Sequence, residues 1–126
     1  MLIAFNQASI AAELAAMSPS QVDTLEFGVI GIDAQTMVRL YNEYEAKAAG
    51  LAAARVLGHP LFTNVAPCMN NFMVAQRFED TVSAGTSLDA TIDYVLTLRM
   101  RPIKVKMRLI AEPAHPLRYV LIARVP

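Results

Sequence analysis

Residues 90–111 read Ala90-Thr-Ile-Asp-Tyr-Val-Leu-Thr-Leu-Arg-Met-Arg-Pro-Ile-Lys-Val-Lys-Met-Arg-Leu-Ile-Ala111. From Ile92 to Leu98 every second residue is apolar: Ile92, Tyr94, Leu96, Leu98. After Pro102 the alternation resumes, with Val105 and Met107 set between Lys104, Lys106 and Arg108. A side-chain period of two marks a strand with one dry face. The stretch predicts strands over 90–100 and 103–111, parted at Pro102. Glu112-Pro-Ala-His-Pro116 then reads as a turn and 118–125 as a further strand. Three consecutive strands on short connections pair as antiparallel neighbours. The alternating bases Lys104, Lys106 and Arg108 predict a wet basic sheet face, either plainly solvated or a docking face for an acidic partner.

Upstream the period changes. Over 70–84, Phe72, Ala75, Phe78 and Val82 recur at helical spacing, and Gly85 ends the run. Glu43 to Leu57 is Ala-rich and helical in tendency, broken at Gly50 and stopped by Gly58-His-Pro60. Phe27-Gly-Val-Ile-Gly-Ile32 reads as a strand whose two glycines leave room on one face. Asp33–Thr36 is a turn, and Met37–Tyr41 completes a hairpin. Residues 8–16 form a short Ala-rich helix. Ser18 caps a second one, with Pro19 at its first position and its end near Leu25. The order is α–α–β–β–α–α–α–β–β–β. It predicts an α+β fold: a five-stranded antiparallel sheet, helices on one face, an N-terminal helical cap, and a small pocket between helices and sheet. That order is similar to the order of PAS domains.

The composition fits this reading. The chain has 126 residues, 55% hydrophobic and 17% charged, too apolar for a disordered segment and of a size for a single domain over 1–126. Lys+Arg and Asp+Glu are both 11, which argues against a generally basic nucleic-acid binder. The charge is nevertheless split. Residues 1–98 hold ten acids and four bases, whereas 99–126 hold seven bases and only Glu112. One cysteine excludes an internal disulfide and a cysteine-rich zinc site, and His59 and His115 lack metal-ligand spacing. No apolar run reaches the roughly 18 residues of a membrane span, and the N-terminus has no signal-peptide layout. A soluble, cytoplasmic protein is expected, with no nucleic-acid or membrane partner. No heptad or long apolar helix forces association, so a monomer or weak homodimer is expected.

Few residues can carry chemistry. A lone cysteine is ordinarily a small buried hydrophobe. Cys68, however, follows Ala66-Pro67 where a loop should turn into the helix beginning near Asn70. A helix N-terminus favours a thiolate, the species that attacks an activated acyl group. No partner base accompanies it in sequence, so attachment of a group is expected rather than turnover, and the chain is not read as an enzyme. Tyr41 and Glu45 lie four residues apart and can converge on one side of the pocket. A phenol and a carboxyl group are a pair of donors suited to a buried anionic oxygen, and they would share its proton. The alternative is an exposed Glu45 on an Ala-rich helix. Met69, Met73 and Met100 read as core filling, and no flavin or haem signature is present.

In order and spacing, Tyr41-Asn42, Glu45, Gly58 and Asn64-Val-Ala-Pro-Cys68 resemble the photoactive yellow protein family, blue-light receptors with a PAS fold. The likeness extends through Leu14–Met17, Gln21–Asp23 and Phe27-Gly28 to Tyr94, Met100, Pro102 and Lys104–Lys106. It implies a cap over residues 1–25 and a PAS core over 26–126. It also implies p-coumaric acid (4-hydroxycinnamic acid) bound as a thioester on Cys68, with Tyr41 and Glu45 hydrogen-bonding its phenolate. The rest of the pocket would be Ala49, Leu51, Leu61, Val65, Ala66, Pro67, Tyr94, Leu96 and Met100. Light would isomerise the double bond, Glu45 would give up its proton, and the cap would loosen toward an unidentified downstream protein partner. The chain departs from the family where a threonine bonding the tyrosine is replaced by Ala49 and a covering arginine by Leu51. Two aromatic strand positions are Leu96 and Leu98. With fewer donors at the anion, the phenol would protonate more easily. These departures leave a second reading open: a light-silent PAS sensor or carrier of another small aromatic or acyl ligand.

Overall fold

The computed structural model describes residues 4–8, 10–97 and 102–124. Two short helices, α1 (Ile10–Ala16) and α2 (Pro19–Val22), precede the hairpin β1 (Gly28–Ile32) and β2 (Val38–Tyr41). Helices α3 (Glu43–Ala49) and α4 (Ala53–Val56) follow. A π-helical turn (Leu61–Val65) and a 3-10 turn (Pro67–Met69) then lead to α5 (Ala75–Ala84). The chain finishes with β3 (Leu88–Leu96), β4 (Ile103–Ala111) and β5 (Arg118–Arg124). All five strands form one antiparallel sheet in the order β2-β1-β5-β4-β3. Leu98 and Met100 lie outside the described residues.

Local chemistry explains most boundaries. The Gln21 N–H donates to the Ser18 hydroxyl, and the Ser18 N–H donates back to the Gln21 side chain, so a reciprocal cap with Pro19 starts α2. Gly50 (φ 72°) and Gly85 (φ 67°) end α3 and α5 in the left-handed conformation that favours glycine. The helix expected from residue 70 begins only at Ala75. The Asn71 carboxamide oxygen accepts the N–H groups of Met73 and Val74, at 3.0 and 3.2 Å, and holds a side-chain turn in place of the first helical turn. Phe72 is therefore 78% exposed rather than on the buried face. Thr81 is buried, whereas Val82 faces solvent.

The sheet separates two apolar clusters. On one face Ile30, Ile32, Val120, Ile122, Val105 and Met107 meet the segment from α3 to α5. On the other, Val29, Ile110, Tyr119 and Leu121 are covered by Ile10, Leu14, Val22 and Leu25 of the N-terminal helices. The two strand glycines serve opposite faces, not one. A Cβ at Gly28 would strike Glu45, and one at Gly31 would strike Leu40.

The basic face of β4 is also revised. Lys104 and Lys106 are exposed, but Arg108 is buried. Its guanidinium donates to Asp89 and to the carbonyls of Phe5 and Gln7, at 3.0 and 2.7 Å, so the N-terminal segment closes over it. Period-two alternation cannot show this, because both faces of this sheet are covered.

Candidate functional site

Asn42 begins α3 and is completely buried. Its side-chain oxygen accepts the N–H groups of Val29 (2.9 Å) and Glu45 (3.2 Å). Its amide donates to the carbonyls of Val22 (3.2 Å) and Phe27 (2.9 Å). One side chain thus caps α3 and joins it to β1 and to the N-terminal cap. Asp23 adds a second tie, accepting the Glu43 N–H at 2.8 Å.

This cap turns Glu45 inward, where it is 0% exposed. The carboxylate takes two hydrogen bonds from Arg124 of β5, at 2.7 and 2.9 Å, in a fork-to-fork pair. Gly28 lies directly beneath, and any larger residue there would occupy the carboxylate's place. Tyr41, the last residue of β2, is buried nearby. Burial pushes its hydroxyl far above the ordinary tyrosine value, and the negative charge of Glu45 adds to the shift. Desolvation opposes the charge of Arg124, but its bonds to Glu45 dominate in sum and raise it. Among the described residues the Tyr41 hydroxyl makes no hydrogen bond, and the buried Arg124 Nε has no acceptor.

Cys68 is half-buried in the 3-10 turn 67–69. It does not sit at the N-terminus of α5, which starts seven residues later, so no long-helix dipole acts on its thiol. Its carbonyl is instead clamped. The Tyr94 hydroxyl donates to it at 2.6 Å, and the Asn71 amide donates both to it at 3.2 Å and to the Tyr94 oxygen at 2.5 Å. A cleft of about 770 Å³ opens beside this clamp, lined by Asn71, Met73, Tyr94 and Val105 among others.

Tyr41, Leu51, Leu61, Val65, Ala66, Cys68, Tyr94 and Leu96 all belong to the same apolar cluster, and Ala49 is buried one turn beyond Glu45. Pro67 is exposed and does not line that interior, because it occupies the outer side of the 3-10 turn. Met100 lies outside the described residues. Asn71 and Arg124 were not singled out from sequence, and Gly28 only as a strand glycine that leaves room. Arg124 did carry a signal, since it continues the inward register of Val120 and Ile122 along β5. An inward-facing base at a strand end calls for a buried partner. His59 is exposed, and among the described residues no His/Cys/Asp/Glu cluster could hold a metal ion.

A carboxylate, a guanidinium and a phenol thus gather at the β2–β5 end of an apolar interior, with a thiol on its α-side wall. Comparison with known proteins decides which family builds this arrangement. Photoactive yellow protein of Rhodothalassium salexigens is 33% identical over 108 residues, covering 86% of both chains. That of Halochromatium salexigens is also 33% identical over 108 residues, again covering 86% of both. The chain belongs to the photoactive yellow protein family. No family model matches it. The photoactive yellow protein domain of a sensor histidine kinase from Rhodospirillum centenum has the same architecture. It aligns with a TM-score of 0.82 at 30% identity, over 90% of this chain and 98% of that domain. A quorum-sensing receptor PAS domain from Cronobacter turicensis shares the fold alone, with a TM-score of 0.62 at 13% identity over 80% of this chain. The chain is accordingly a photoreceptor of the photoactive yellow protein type on a PAS scaffold. No helix among the described residues is long and apolar enough to cross a membrane.

Proposed function

We propose that the chain is a blue-light receptor that carries p-coumaric acid as a thioester on Cys68 and signals by loosening its N-terminal cap. The observation that carries this reading is the pairing of a clamped, half-buried Cys68 with Tyr41 and Glu45 in one interior. The residues fit a phenolic acyl group. The acceptor-less Arg124 Nε is a buried donor, and such a group costs roughly 1–3 kcal/mol when left unpaired; the Tyr41 hydroxyl makes no hydrogen bond among the described residues. A phenolate oxygen would accept from both.

In attachment, Cys68 loses its thiol proton and its sulfur bonds the carbonyl carbon of an activated coumaroyl donor, whose leaving group departs. Tyr94 and Asn71 hold the Cys68 backbone during and after this step. When bound, the group supplies light absorption and trans–cis isomerisation. Tyr41 orients the phenolic oxygen, and Glu45 holds the proton that passes to it. A carboxylate that has lost that proton in an apolar interior depends on Arg124 for its charge partner, and the contacts around the pair must readjust. Glu45 sits on the helix that Asn42 and Asp23 tie to the cap, so strain there reaches Val22 and Asp23 directly. The acyl group stays on Cys68, so the chain acts as a receptor and not as an enzyme.

Reconstitution tests the reading. The purified protein is mixed with activated p-coumaric acid, and intact mass and visible spectra are recorded in dark and light. The expected result is one added coumaroyl group, a band well to the red of the free thioester, and reversible bleaching. An adduct without a photocycle would favour the light-silent carrier, which the apolar Ala49, Leu51 and Leu96 also support. Absence of any adduct would overturn covalent attachment.

A further inference from the structure

We propose that Arg124 is a third polar residue of the phenolate end, the fixed cation beside which Glu45 and the phenol share one proton. The inference rests on the reading above. Glu45 is wholly buried and gives both carboxylate oxygens to Arg124, while the Nε–H of the same guanidinium is buried without an acceptor. Arg124 is itself largely enclosed, its side chain 13% exposed, and its β4 neighbour Val105 is buried. The guanidinium therefore has one donor left over inside the protein, on the side of the molecule where Tyr41 also lacks a partner. Among the described residues no other cation takes this place. Position 51 is Leu, Arg55 is exposed, and Lys104 and Lys106 flank Val105 on the outer face of the sheet. The ionisable groups acting on Arg124 are Glu45 and Tyr44 from α3 and Tyr41 from β2. Strand β1 contributes Gly28 and no charge.

Charge balance gives the inference its content. Glu45 and Arg124 together are neutral. A neutral phenol brought beside them leaves the site neutral. If the phenol proton moves to Glu45, the products are a phenolate, a carboxylic acid and the same guanidinium, again neutral. The O–H bond of the phenol breaks, the O–H bond of Glu45 forms, and no proton is drawn from solvent. Arg124 exchanges one anion for another, and its spare Nε–H suits it to hold both. Without Arg124, either arrangement buries a net negative charge. The site would then take up a further proton and keep the phenol neutral.

The test compares four proteins loaded with activated p-coumaric acid: wild type, Glu45→Gln, Arg124→Lys, and the double variant Glu45→Gln/Arg124→Gln. The readout is the pH midpoint between the violet phenol band and the yellow phenolate band. The double variant avoids a buried unpaired carboxylate, so it separates electrostatics from misfolding. Its midpoint is expected roughly one pH unit or more above that of Glu45→Gln, with Arg124→Lys close to wild type. Equal midpoints in Glu45→Gln and the double variant would overturn the proposal while leaving the adduct intact. Failure of wild type to form an adduct would overturn the parent reading instead. Unloaded protein gives an independent readout: Arg124→Gln should melt well below wild type, and the double variant should recover. A single variant that melts like wild type would mean the pair is not formed, and would sink the proposal too.

Discussion

Arg108 on β4 and Asp89 on β3 are joined diagonally across the sheet by two parallel hydrogen bonds of 2.8 Å each, and the rest of the guanidinium is spent on the N-terminal backbone. It donates to the carbonyls of Phe5 and Gln7, next to the edge-to-face contact of Phe5 with Phe27 at 5.8 Å. A side chain expected in water is therefore a latch between sheet and cap. Arg108→Ala should cost about 2 kcal/mol, since charge-assisted bonds to part-buried carbonyls are lost. The loss should concentrate in the cap. Amide exchange over residues 4–22 should rise more than over β4 and β5. Uniform acceleration across the fold would contradict the latch.

The same pair sets a pH dependence. Arg108 holds the Asp89 carboxyl below its ordinary value of 3.8, its hydrogen bonds outweighing partial desolvation. The unfolded chain therefore binds this proton at higher pH than the folded one. The stabilisation is complete above about pH 4 and is lost as pH falls through the lowered folded value. Melting temperatures between pH 6 and 2.5 should fall less steeply in Asp89→Asn than in wild type. Parallel curves would mean that the carboxylate contributes nothing. At the alkaline end the sign is the same as for any raised group. Tyr41 and Tyr119 are pushed above 10 by burial, so stability should decline as pH rises past 10.

Asn42 satisfies four buried backbone groups on three separate segments. Asn42→Ala leaves them unpaired and should cost roughly 2–4 kcal/mol. Asn42→Asp keeps both accepting roles and loses both donating ones, so it should fall between. Urea denaturation of the three proteins checks the order. An aspartate variant no better than alanine would show that the bonds to Val22 and Phe27 dominate.

Gly28 and Gly31 should respond differently to the same added methyl group. Gly28→Ala drives its Cβ into the Glu45 carboxylate, whereas Gly31→Ala meets the Leu40 side chain at 2.9 Å. The first must move a buried ion pair, whereas the second presses on Leu40 Cβ, which is fixed to the β2 backbone and touches no part of that pair. Gly28→Ala should cost about 1–3 kcal/mol and, in loaded protein, shift the visible band. Gly31→Ala should leave the band in place. Identical spectra for both would remove Glu45 from the chromophore.

Cys68→Ala should abolish the adduct with the fold retained, read by intact mass and circular dichroism. Tyr94→Phe should still accept the acyl group, because the thiol is untouched. It leaves the Cys68 carbonyl held by Asn71 alone, so the adduct should recover from bleaching at a changed rate. Adduct mass surviving in Cys68→Ala would place the attachment elsewhere.

Much of this was legible in the chain. Alternation through 90–111 and the caps at Ser18, Gly50 and Gly85 depend on neighbours a few residues away, and so did their reading. The spacing of Tyr41, Glu45 and Cys68, set against the family pattern, carried the resemblance. The start of α5 was misplaced because Asn71 competes for the N–H groups of Met73 and Val74, a choice that helical spacing does not register. That same misplacement put Cys68 at a helix N-terminus it does not occupy.

The sequence by itself determined the order of elements, the antiparallel sheet and the identity of the groups able to carry chemistry, because periodicity, capping and turn chemistry are local. Only the tertiary structure decided what those groups face. Arg124 lies 79 residues from Glu45 and Arg108 lies 101 from Gln7. Their pairing depends on β5 entering the sheet between β1 and β4, and on the cap folding back over β4. Such contacts are set by register and packing across the whole fold, and no window of the chain contains both partners.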